Sequence, residues 1–365
     1  MRILYGVVGE GMGHATRSRV LLDHLVRSHQ VEIVVSGRAH GFLSRVFPNV
    51  KVREIAGLNM IYEDNAVRRS KTALDFLKKL PAFAENYRMF SEISQGFDPQ
   101  LVISDFESFS YLYGKSHDLP IISVDNMQVI NRCALDVEIP DELQNSFRTA
   151  KTLVKAKLPR CGAYLITSFF FPKPRKPRTQ LFPPILRDAV LDAKPSRGDH
   201  VLVYQTSDSF TELIPTLQQL PGRFLVYGLG REEKLGNVEL RAFSESGFVS
   251  DLASARGVIA GGGFSLMGEA VYLGKPLYSI PLVGQFEQTL NALYLQKLGY
   301  GEYHETLSTK SIAGFLERAP DYEKALTAHK QDRNHAIVAA LDELIAHVAK
   351  TGRIIDSGAI ADSDD

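Results

Sequence analysis

Short apolar runs alternate with longer amphipathic segments along this chain, and this alternation restricts its possible folds more than any other feature. The first half contains strand-like runs at Ile3–Val8, Val31–Val35, Leu101–Ser104 and Ile121–Val124. Helical patterns separate them, at Ala15–Ser28, Leu74–Phe90 (interrupted near Pro81) and Tyr111–His117. Apolar strands connected by helices are typical of a parallel sheet covered on both faces, so the sequence predicts an α/β fold.

A cluster of prolines separates this half from a second region with the same alternation. Five prolines lie between residues 172 and 184, and proline disfavours regular structure. Further strand-like runs follow, at Val201–Tyr204, Phe224–Tyr227, Val238–Phe243, Val258–Ala260 and Leu277–Ile280. We therefore predict an N-terminal domain over 1–171, a proline-rich linker over 172–190, a C-terminal domain over 191–350 and a disordered acidic tail over 351–365.

Charge balance and cysteine content argue against several classes of protein. The 365 residues include 42 basic and 42 acidic side chains, which disfavours a general nucleic-acid-binding protein. The two cysteines, Cys133 and Cys161, provide neither zinc-ligand spacing nor a disulfide framework, so we expect a cytoplasmic environment. No apolar run approaches the ~20 residues of a membrane span. We expect a soluble protein, or one that touches a membrane only at its surface.

The first strand-like run ends in a glycine-rich turn, "GEGMGH", whose notable residues are Gly9, Gly11, Gly13 and His14. Glycines at such a turn let a ligand approach the main chain, and the helix N-terminus that follows favours negative charge. A phosphate-binding P-loop is excluded, because Met12 stands where that motif requires a lysine.

The same turn also departs from the dinucleotide-binding fingerprint, because His14 occupies the position of the third glycine. An NADP-dependent reductase that uses Ser36 and Arg38 for the 2′-phosphate is therefore disfavoured. Two interpretations of His14 stay open on spacing alone. It could be a helix-capping or packing residue, or it could be a general base, because an unperturbed histidine titrates near neutral pH.

A second glycine-rich turn lies in the C-terminal half, where Gly261, Gly262 and Gly263 follow an apolar run. Ser265 is a predicted N-cap, and Met267–Leu273 is predicted to form a short helix. The free N–H groups of such a helix N-terminus suit a diphosphate. Glu269, one turn into that helix, could accept hydrogen bonds from a ribose diol or could simply interact with the helix dipole. In combination with the glycines, the ligand-binding interpretation is favoured.

The segment from Gly261 to Gly299 resembles the donor-binding region of GT-B glycosyltransferases, which have two Rossmann-like domains facing across a cleft and use nucleotide sugars. The likeness is greatest to the N-acetylglucosaminyltransferase family of peptidoglycan-lipid synthesis, and more distant to UDP-glucuronosyl- and glucosyltransferases. Further blocks resemble the family in the same order: "GEGMGH", "LVISDFESFSYLYGKSHDLPIISVD", "PPILRD" and "GFVSDLASARGVIAGGG".

This resemblance implies a role for each matching residue. Gly9, Gly11 and Gly13 would form the acceptor-side loop, His14 would deprotonate the acceptor hydroxyl, and Asp105 would orient that histidine. The donor would be bound by Arg187 near its phosphates, Ser207 in the domain's first loop, Val249 beside the base, Gly262, Gly263, Phe264 and Ser265 at the diphosphate, Glu269 at the ribose, and Gln285 and Gln288 at the sugar.

The sequence departs from the family pattern in three places. Gln205 and Thr206 stand where the first loop of the donor domain usually has glycines. "QFEQ" aligns in two registers, which leaves the roles of Gln285, Glu287 and Gln288 open. Residues 57–70 and 126–160, where the acceptor loops would lie, resemble no known segment.

The reaction implied is transfer of a sugar from a nucleotide sugar, most simply a UDP-sugar, to a hydroxyl acceptor with inversion at the anomeric carbon. The only D-x-D motif, Asp362–Asp364, lies in the terminal tail, so we expect no metal and no cofactor. A helix N-terminus together with Arg187 could stabilise the leaving diphosphate instead. Competing hypotheses are a nucleotide-sugar epimerase and a non-catalytic nucleotide-sugar-binding protein.

The acceptor is the least constrained part of this hypothesis. Two basic segments lie near apolar residues and contribute Arg68, Arg69, Lys78, Lys79, Lys151 and Lys155. They could attract the inner face of an anionic membrane and a lipid-linked acceptor, but ordinary solvated helix faces are slightly favoured.

Overall fold

The computed structural model describes residues 1–9, 11–56, 62–63, 66–67, 80–205 and 210–354. The strands of the first half are β1 (Arg2–Val7), β2 (Gln30–Val35), β3 (Lys51–Glu54), β4 (Tyr62–Glu63), β5 (Ala66–Val67), β6 (Leu101–Asp105), β7 (Ile121–Asp125), β8 (Cys133–Ala134), β9 (Ala163–Thr167), β10 (Lys173–Pro174) and β11 (Thr179–Phe182). Its helices are α1 (Met12–Leu25), α2 (Arg38–Val46), α3 (Leu80–Gly96), α4 (Ser108–Ser116), α5 (Val129–Arg132), α6 (Gln144–Lys157) and α7 (Asp188–Leu191), with a 3₁₀ turn at Asp141–Leu143.

Seven of these strands form one parallel sheet in the order β11-β9-β7-β6-β1-β2-β3. The chain builds outward from β1 to β3 on one side and from β6 to β11 on the other. The strand order therefore reverses between β1 and β6, where Val7 pairs with Asp105. A crevice at the carboxyl ends of the strands is expected at such a reversal, and it is the usual ligand site of open α/β sheets.

The second half repeats this plan. Its strands are β12 (His200–Tyr204), β13 (Arg223–Tyr227), β14 (Glu233–Leu235), β15 (Val238–Arg241), β16 (Val258–Ala260), β17 (Leu277–Ser279) and β18 (Gly301–Tyr303). Its helices are α8 (Leu213–Gln218), α9 (Glu245–Ser254), α10 (Phe264–Tyr272), α11 (Phe286–Lys297), α12 (Thr309–Leu326) and α13 (His335–Thr351). The sheet order is β14-β15-β13-β12-β16-β17-β18, with only the edge strand β14 antiparallel to its neighbour. The reversal here lies between β12 and β16.

Three element predictions need correction. Helix α4 begins at Ser108 rather than Tyr111, because the Glu107 carboxylate accepts hydrogen bonds from the N–H groups of Phe109 and Ser110, each at 2.6 Å. Helix α3 begins at Leu80, in agreement with the interruption predicted near Pro81, but it ends at Gly96 rather than at Phe90. Pro81 is tolerated in the first turn, where its missing N–H would have no helical partner. The predicted part at residues 74–79 lies outside the described residues. Ser265 is not an N-cap: α10 begins at Phe264, and Gly263 is its N-cap.

The proline-rich segment is more than a connection between domains. Residues Thr179–Phe182 form β11, which pairs in parallel with β9 at the edge of the first sheet. An edge strand tolerates flanking prolines, because only one side of it must supply hydrogen bonds to a neighbour. The part of the segment that follows β11 then carries the chain toward the second sheet.

The two domains share part of their core. The buried cluster around β6 and β7 continues into that around α10 and α11, and the Phe170 ring stacks on Tyr294 with centroids 3.8 Å apart. The last helix, α13, packs against the first domain, where Ile337, Leu341 and Ile345 join its apolar cluster.

Of the basic residues considered for membrane contact, Lys151 and Lys155 lie on α6, and the others lie outside the described residues, as do Asp362–Asp364 and the tail from residue 355. Across the described ranges, no helix is both long and apolar enough to cross a bilayer.

Candidate active site

His14 and Asp105 meet at the crevice of the first sheet. His14 lies in the first turn of α1, directly after β1, and Asp105 is the last residue of β6. His14 Nδ1 lies 2.8 Å from Asp105 Oδ1, and the two side chains are 20% and 1% exposed. Phe106, the next residue, has a left-handed backbone with φ of 53°, which is unfavourable for a bulky non-glycine residue.

Arg17 completes a buried charged group with these two residues. It lies one helical turn after His14, so both side chains project from the same face of α1. Its Nε donates to Asp105 Oδ2 at 2.9 Å, and its Nη2 donates to Asp105 Oδ1 at 2.5 Å. Arg17 Nη2 also lies 2.6 Å from His14 Nδ1, because both nitrogens converge on the same carboxylate oxygen. The Ser18 hydroxyl donates a further hydrogen bond to Asp105 Oδ2 at 2.8 Å.

The electrostatics of this group define the protonation of His14. Burial lowers the pKa of His14 below its usual 6.5, and the Arg17 cation lowers it further. Burial alone would raise the pKa of Asp105, but Arg17 and His14 outweigh it and hold that pKa well below its usual range. A carboxylate can only accept, so we assign the imidazole proton to Nδ1, which leaves the lone pair of Nε2 available to take a proton.

The first glycine-rich turn brings the main chain close to two other segments. Gly9 donates its N–H to the Ser36 hydroxyl at 3.2 Å. Gly11 is the N-cap of α1 and has open space around it. Gly13 faces the second domain: a Cβ added there would lie 2.7 Å from Ser265 Oγ. The two glycine-rich turns predicted from the sequence therefore face one another across the cleft.

The second turn presents an open helix N-terminus. Gly262 has φ of 122°, which favours glycine, and a Cβ there would lie 2.8 Å from the Gln288 carbonyl oxygen. Gly263, by contrast, has open space around its α-carbon and is the N-cap of α10, so no side chain caps this helix. Phe264 and Ser265 are the first two helical residues, and the N–H groups of a first turn have no partner within their helix. These groups and the helix dipole suit an anion.

Arg187 and Glu269 form a close ion pair at the edge of this turn. Arg187 Nε and Nη2 donate to the two carboxylate oxygens of Glu269 at 2.9 and 3.0 Å. Arg187 Nη1 donates to Glu245 Oε1 at 3.1 Å. Burial would lower the pKa of Arg187, but Glu269 and Glu245 raise it; burial raises the pKa of Glu269. The structure therefore places Arg187 against carboxylates, where the resemblance implied phosphates.

The other residues predicted to bind the donor lie in three different environments. Gln288 Nε2 donates to Gln285 Oε1, and Gln288 Oε1 accepts from the Leu282 N–H at 3.0 Å, so the pair braces the loop before α11. Val249 lies inside α9, where the helix itself uses its N–H and C=O, so the predicted backbone contact with a base is not favoured. Ser207 lies outside the described residues.

Sequence reasoning missed three residues near His14. Arg17 could have been found from its i+3 spacing on a helix that begins at the crevice. Asp125 ends β7, the neighbour of β6, and Asn126 follows it, so the rule that parallel strands end at one edge could have identified both. Asn126 accepts a hydrogen bond from Arg17 Nη1 at 2.5 Å.

Comparison with known proteins matches this chain to glycosyltransferases. The profile of Glycosyl transferase family 1 matches residues 1–320. A protein of Methanosarcina acetivorans, described as an uncharacterized glycosyltransferase, is 24% identical over 335 residues, covering 82% of this chain and 85% of its own. None of these matches identifies the peptidoglycan-lipid family, so that likeness stays a prediction.

Solved structures share the fold. The calicheamicin glycosyltransferase CalG4 superposes with a TM-score of 0.62 and 18% identity, covering 96% of this chain and 99% of its own. A UDP-glucosyltransferase from Polygonum tinctorium superposes with a TM-score of 0.66 and 14% identity, covering 96% of this chain and 98% of its own. UGT2 of Phytolacca americana, complexed with UDP-2-fluoro-glucose and pterostilbene, superposes with a TM-score of 0.67 and 14% identity, covering 95% of this chain and 98% of its own. The paired sheets thus have the GT-B arrangement, and the chain is a glycosyltransferase that belongs to Glycosyl transferase family 1.

Proposed function

We propose that this enzyme transfers a sugar from a UDP-sugar to a hydroxyl acceptor, with inversion of the anomeric centre and without a metal. The observation that supports this most directly is the placement of His14. Its Nδ1 is held by Asp105 at 2.8 Å, and the glycine beside it, Gly13, packs against Ser265 of the donor turn. A base and an anion site on opposite sides of one narrow cleft are what a single displacement requires.

In the proposed reaction, Nε2 of His14 takes the proton of the acceptor hydroxyl as its oxygen forms a bond to the anomeric carbon. The bond from that carbon to the diphosphate oxygen breaks at the same time, and the nucleoside diphosphate leaves with the electron pair. Attack from the face opposite the leaving group inverts the configuration. His14 then carries a positive charge, which the Asp105 carboxylate stabilises.

The leaving diphosphate would lie at the N-terminus of α10. The first-turn N–H groups at Phe264 and Ser265, together with the positive end of the helix dipole, can stabilise the developing charge. Arg187 is proposed to orient Glu269 rather than to bind phosphate. Each Glu269 oxygen accepts one hydrogen bond from Arg187 and retains a lone pair for a ribose hydroxyl.

The donor site can be tested with a substitution that only a ligand would detect. Gly263 has φ of −63°, which alanine adopts easily, and open space around its α-carbon. Gly263→Ala should therefore change the melting temperature of the free protein only slightly, because the poorer N-cap and the lower entropy of the unfolded chain oppose each other. It places a methyl group at the proposed diphosphate site. UDP at 100 times its Kd should stabilise the wild type by about 2.7 kcal/mol and the variant by much less.

The matched control is Gly41→Ala, a second glycine with open space around it, on α2. It should keep the full thermal shift with UDP. Stabilisation by NADP but not by UDP, GDP, dTDP or UDP-sugars would contradict the proposed donor class. A Gly263→Ala variant that binds UDP as the wild type does would contradict the proposed location. Inversion is checked separately, by NMR of the anomeric proton in the product.

A further inference from the structure

A chain of hydrogen bonds crosses the cleft from the His14–Asp105 pair to the second glycine turn. Arg17 Nη1 donates to Asn126 Oδ1 at 2.5 Å, and Asn126 Nδ2 donates to Glu287 Oε1 at 2.9 Å. The same Glu287 oxygen accepts from Asn291 Nδ2 at 2.7 Å. Asn291 Nδ2 also donates to the carbonyl oxygen of Gly262 at 3.0 Å. The three links made by Asn126 Nδ2 and Asn291 Nδ2 are ordinary hydrogen-bond distances, and the Arg17–Asn126 link is shorter.

Within this chain of hydrogen bonds Asn126 joins the two domains, and its amide supplies both the acceptor and the donor that the position uses. The side chain is 5% exposed, and it accepts from a group that can only donate, Arg17. It donates to an oxygen of Glu287 that already accepts from Asn291. The two partners therefore fix which end of the amide faces each domain. An aspartate could not donate to Glu287, and an aliphatic residue could make neither bond.

Asn126 and Glu287, which join the two domains at the middle of this chain, are also held in place by the packing of their own elements. Asn126 directly follows β7, beside the strand that ends in Asp105. Glu287 lies in the first turn of α11, and the same helix carries Tyr294, whose ring stacks on Phe170 of the first domain. Arg17, Asn126 and Asn291 are buried and Glu287 is half-buried, and each is hydrogen-bonded to the next. A substitution at one of them should therefore alter the positions of the others.

We propose that Asn126 is a positioning residue: it holds Arg17, and through it the His14–Asp105 pair, in register with the donor turn. It touches no reacting atom. This inference rests on the proposed function for its effect on turnover, but not for its effect on His14 itself. Removing Asn126 should loosen the Arg17 guanidinium and weaken the His14–Asp105 hydrogen bond while the donor site stays intact.

The first test needs no ligand. In protein labelled with ¹⁵N-histidine, the proton on His14 Nδ1 should give a downfield NMR resonance, because it is hydrogen-bonded to a carboxylate. In Asn126→Ala this resonance should shift upfield or broaden by exchange with water. Glu287→Ala breaks the same chain at a half-buried residue and should produce a similar change. The matched control is Asn131→Ala, which removes an equally buried asparagine, 4% exposed, from the same segment and should leave the resonance unchanged.

The second test uses release of UDP from a UDP-sugar. Asn126→Ala should lower kcat by about tenfold with an unchanged KM for the donor, and the Asn126→Ala/Glu287→Ala double variant should lower kcat no further than the more impaired single variant does. Asn131→Ala should keep kcat.

The outcomes separate the two hypotheses. If Asn126→Ala only melts at a lower temperature, with the resonance and kcat of the wild type, Asn126 is merely structural and the inference is overturned. If the resonance depends on Asn126 but the wild type releases no UDP from any UDP-sugar, the positioning role stands and the proposed donor is wrong.

Discussion

His14 and Asp105 are joined by one hydrogen bond, from Nδ1 to Oδ1 at 2.8 Å, although 91 residues separate them in the chain. The sheet brings them together, because β1 and β6 are neighbours and both end at the same edge. Arg17 and Ser18 also donate hydrogen bonds to Asp105, so the carboxylate that orients the histidine is itself held in one position. Such a rigid base needs no reorganisation when the acceptor arrives.

Replacing His14 by alanine should abolish most turnover without affecting donor binding. Loss of a general base typically costs ~10²–10⁴-fold in rate. Turnover is measured as release of UDP at a saturating UDP-sugar concentration, and donor binding as the thermal shift with UDP. His24→Ala, on the same helix but paired with Asp342 on the surface, is the control and should keep both activities. Unchanged turnover in His14→Ala would refute its role as the base.

The dependence of kcat/KM on pH should report the protonation of His14 in the free enzyme. Burial and Arg17 lower its pKa below 6.5, so the neutral base is already formed below that pH. The rate should therefore rise with pH through an apparent pKa below 6.5 and be level at neutral pH. Arg17→Met removes the neighbouring cation, so the pKa of His14 should rise and the acid limb should move to higher pH.

The control for that shift is Arg19→Met, on the same helix, where Arg19 pairs with Asp23 and Glu245 instead. Its pH profile should match the wild type. An acid limb that stays in place in Arg17→Met would mean that another group, and not His14, limits the rate at low pH.

Much of the secondary structure could be predicted from local sequence pattern. The ion-pair partners of the charged residues could not. Periodicity encodes the alternation of strands and helices, and it predicts nine strands of the two sheets to within two residues. The edge or near-edge strands β3, β9, β11, β14 and β18 were not predicted. The two glycine turns lie in different sheets, so their pairing across a cleft came from the resemblance to GT-B glycosyltransferases and not from local pattern. The partner of Arg187 could not be predicted in this way. Its guanidinium contacts Glu269, which lies 82 positions later in the chain, and only the tertiary structure brings the two together.

The contacts between the two domains could not be predicted from the sequence either. Nothing in the neighbourhood of Asn126 indicates that it lies against Glu287, because α11 reaches the first domain only after both sheets are assembled. The strand β11 was missed for another reason: proline content predicts irregular structure, and it cannot distinguish a linker from an edge strand.

Gly13→Ala should impair the enzyme through a contact between domains. Gly13 is the second residue of α1, where alanine would normally favour the helix by up to about 1 kcal/mol. The added Cβ, however, would lie 2.7 Å from Ser265 Oγ and 3.3 Å from its Cβ, so the Ser265 hydroxyl must rotate and the donor turn must give by a few tenths of an ångström. We expect lower affinity for UDP in a thermal-shift titration, with α1 itself intact by circular dichroism.

Two further variants distinguish this contact from a general effect of altering the loop. Gly11→Ala, where the backbone is extended and a Cβ would have open space, should bind UDP as the wild type does. Adding Ser265→Ala to Gly13→Ala removes the closer of the two clashing atoms and should recover part of the affinity. A double variant weaker than both single variants would argue against the steric explanation.

The buried carboxyl of Asp125 should make the folded state less stable as the pH rises. Ser123 and Gln128 donate to it at 2.7 and 2.8 Å, but burial still raises its pKa from 3.8 to about 6. Between those values the folded chain holds a proton that the unfolded chain has released. This contribution to stability is therefore complete below about pH 4 and is lost as the pH rises through 6, a change of roughly 3 kcal/mol at most.

Asp125→Asn removes that titration while keeping an oxygen to accept from Gln128. The free energy of unfolding of the variant, relative to that of the wild type, should therefore increase from pH 4 to pH 7. Urea denaturation at four pH values across this range measures the difference. Asp199→Asn, whose parent side chain is 81% exposed, is the control and should show a constant difference. A constant difference for Asp125→Asn as well would mean that this carboxyl titrates equally in the folded and unfolded chains.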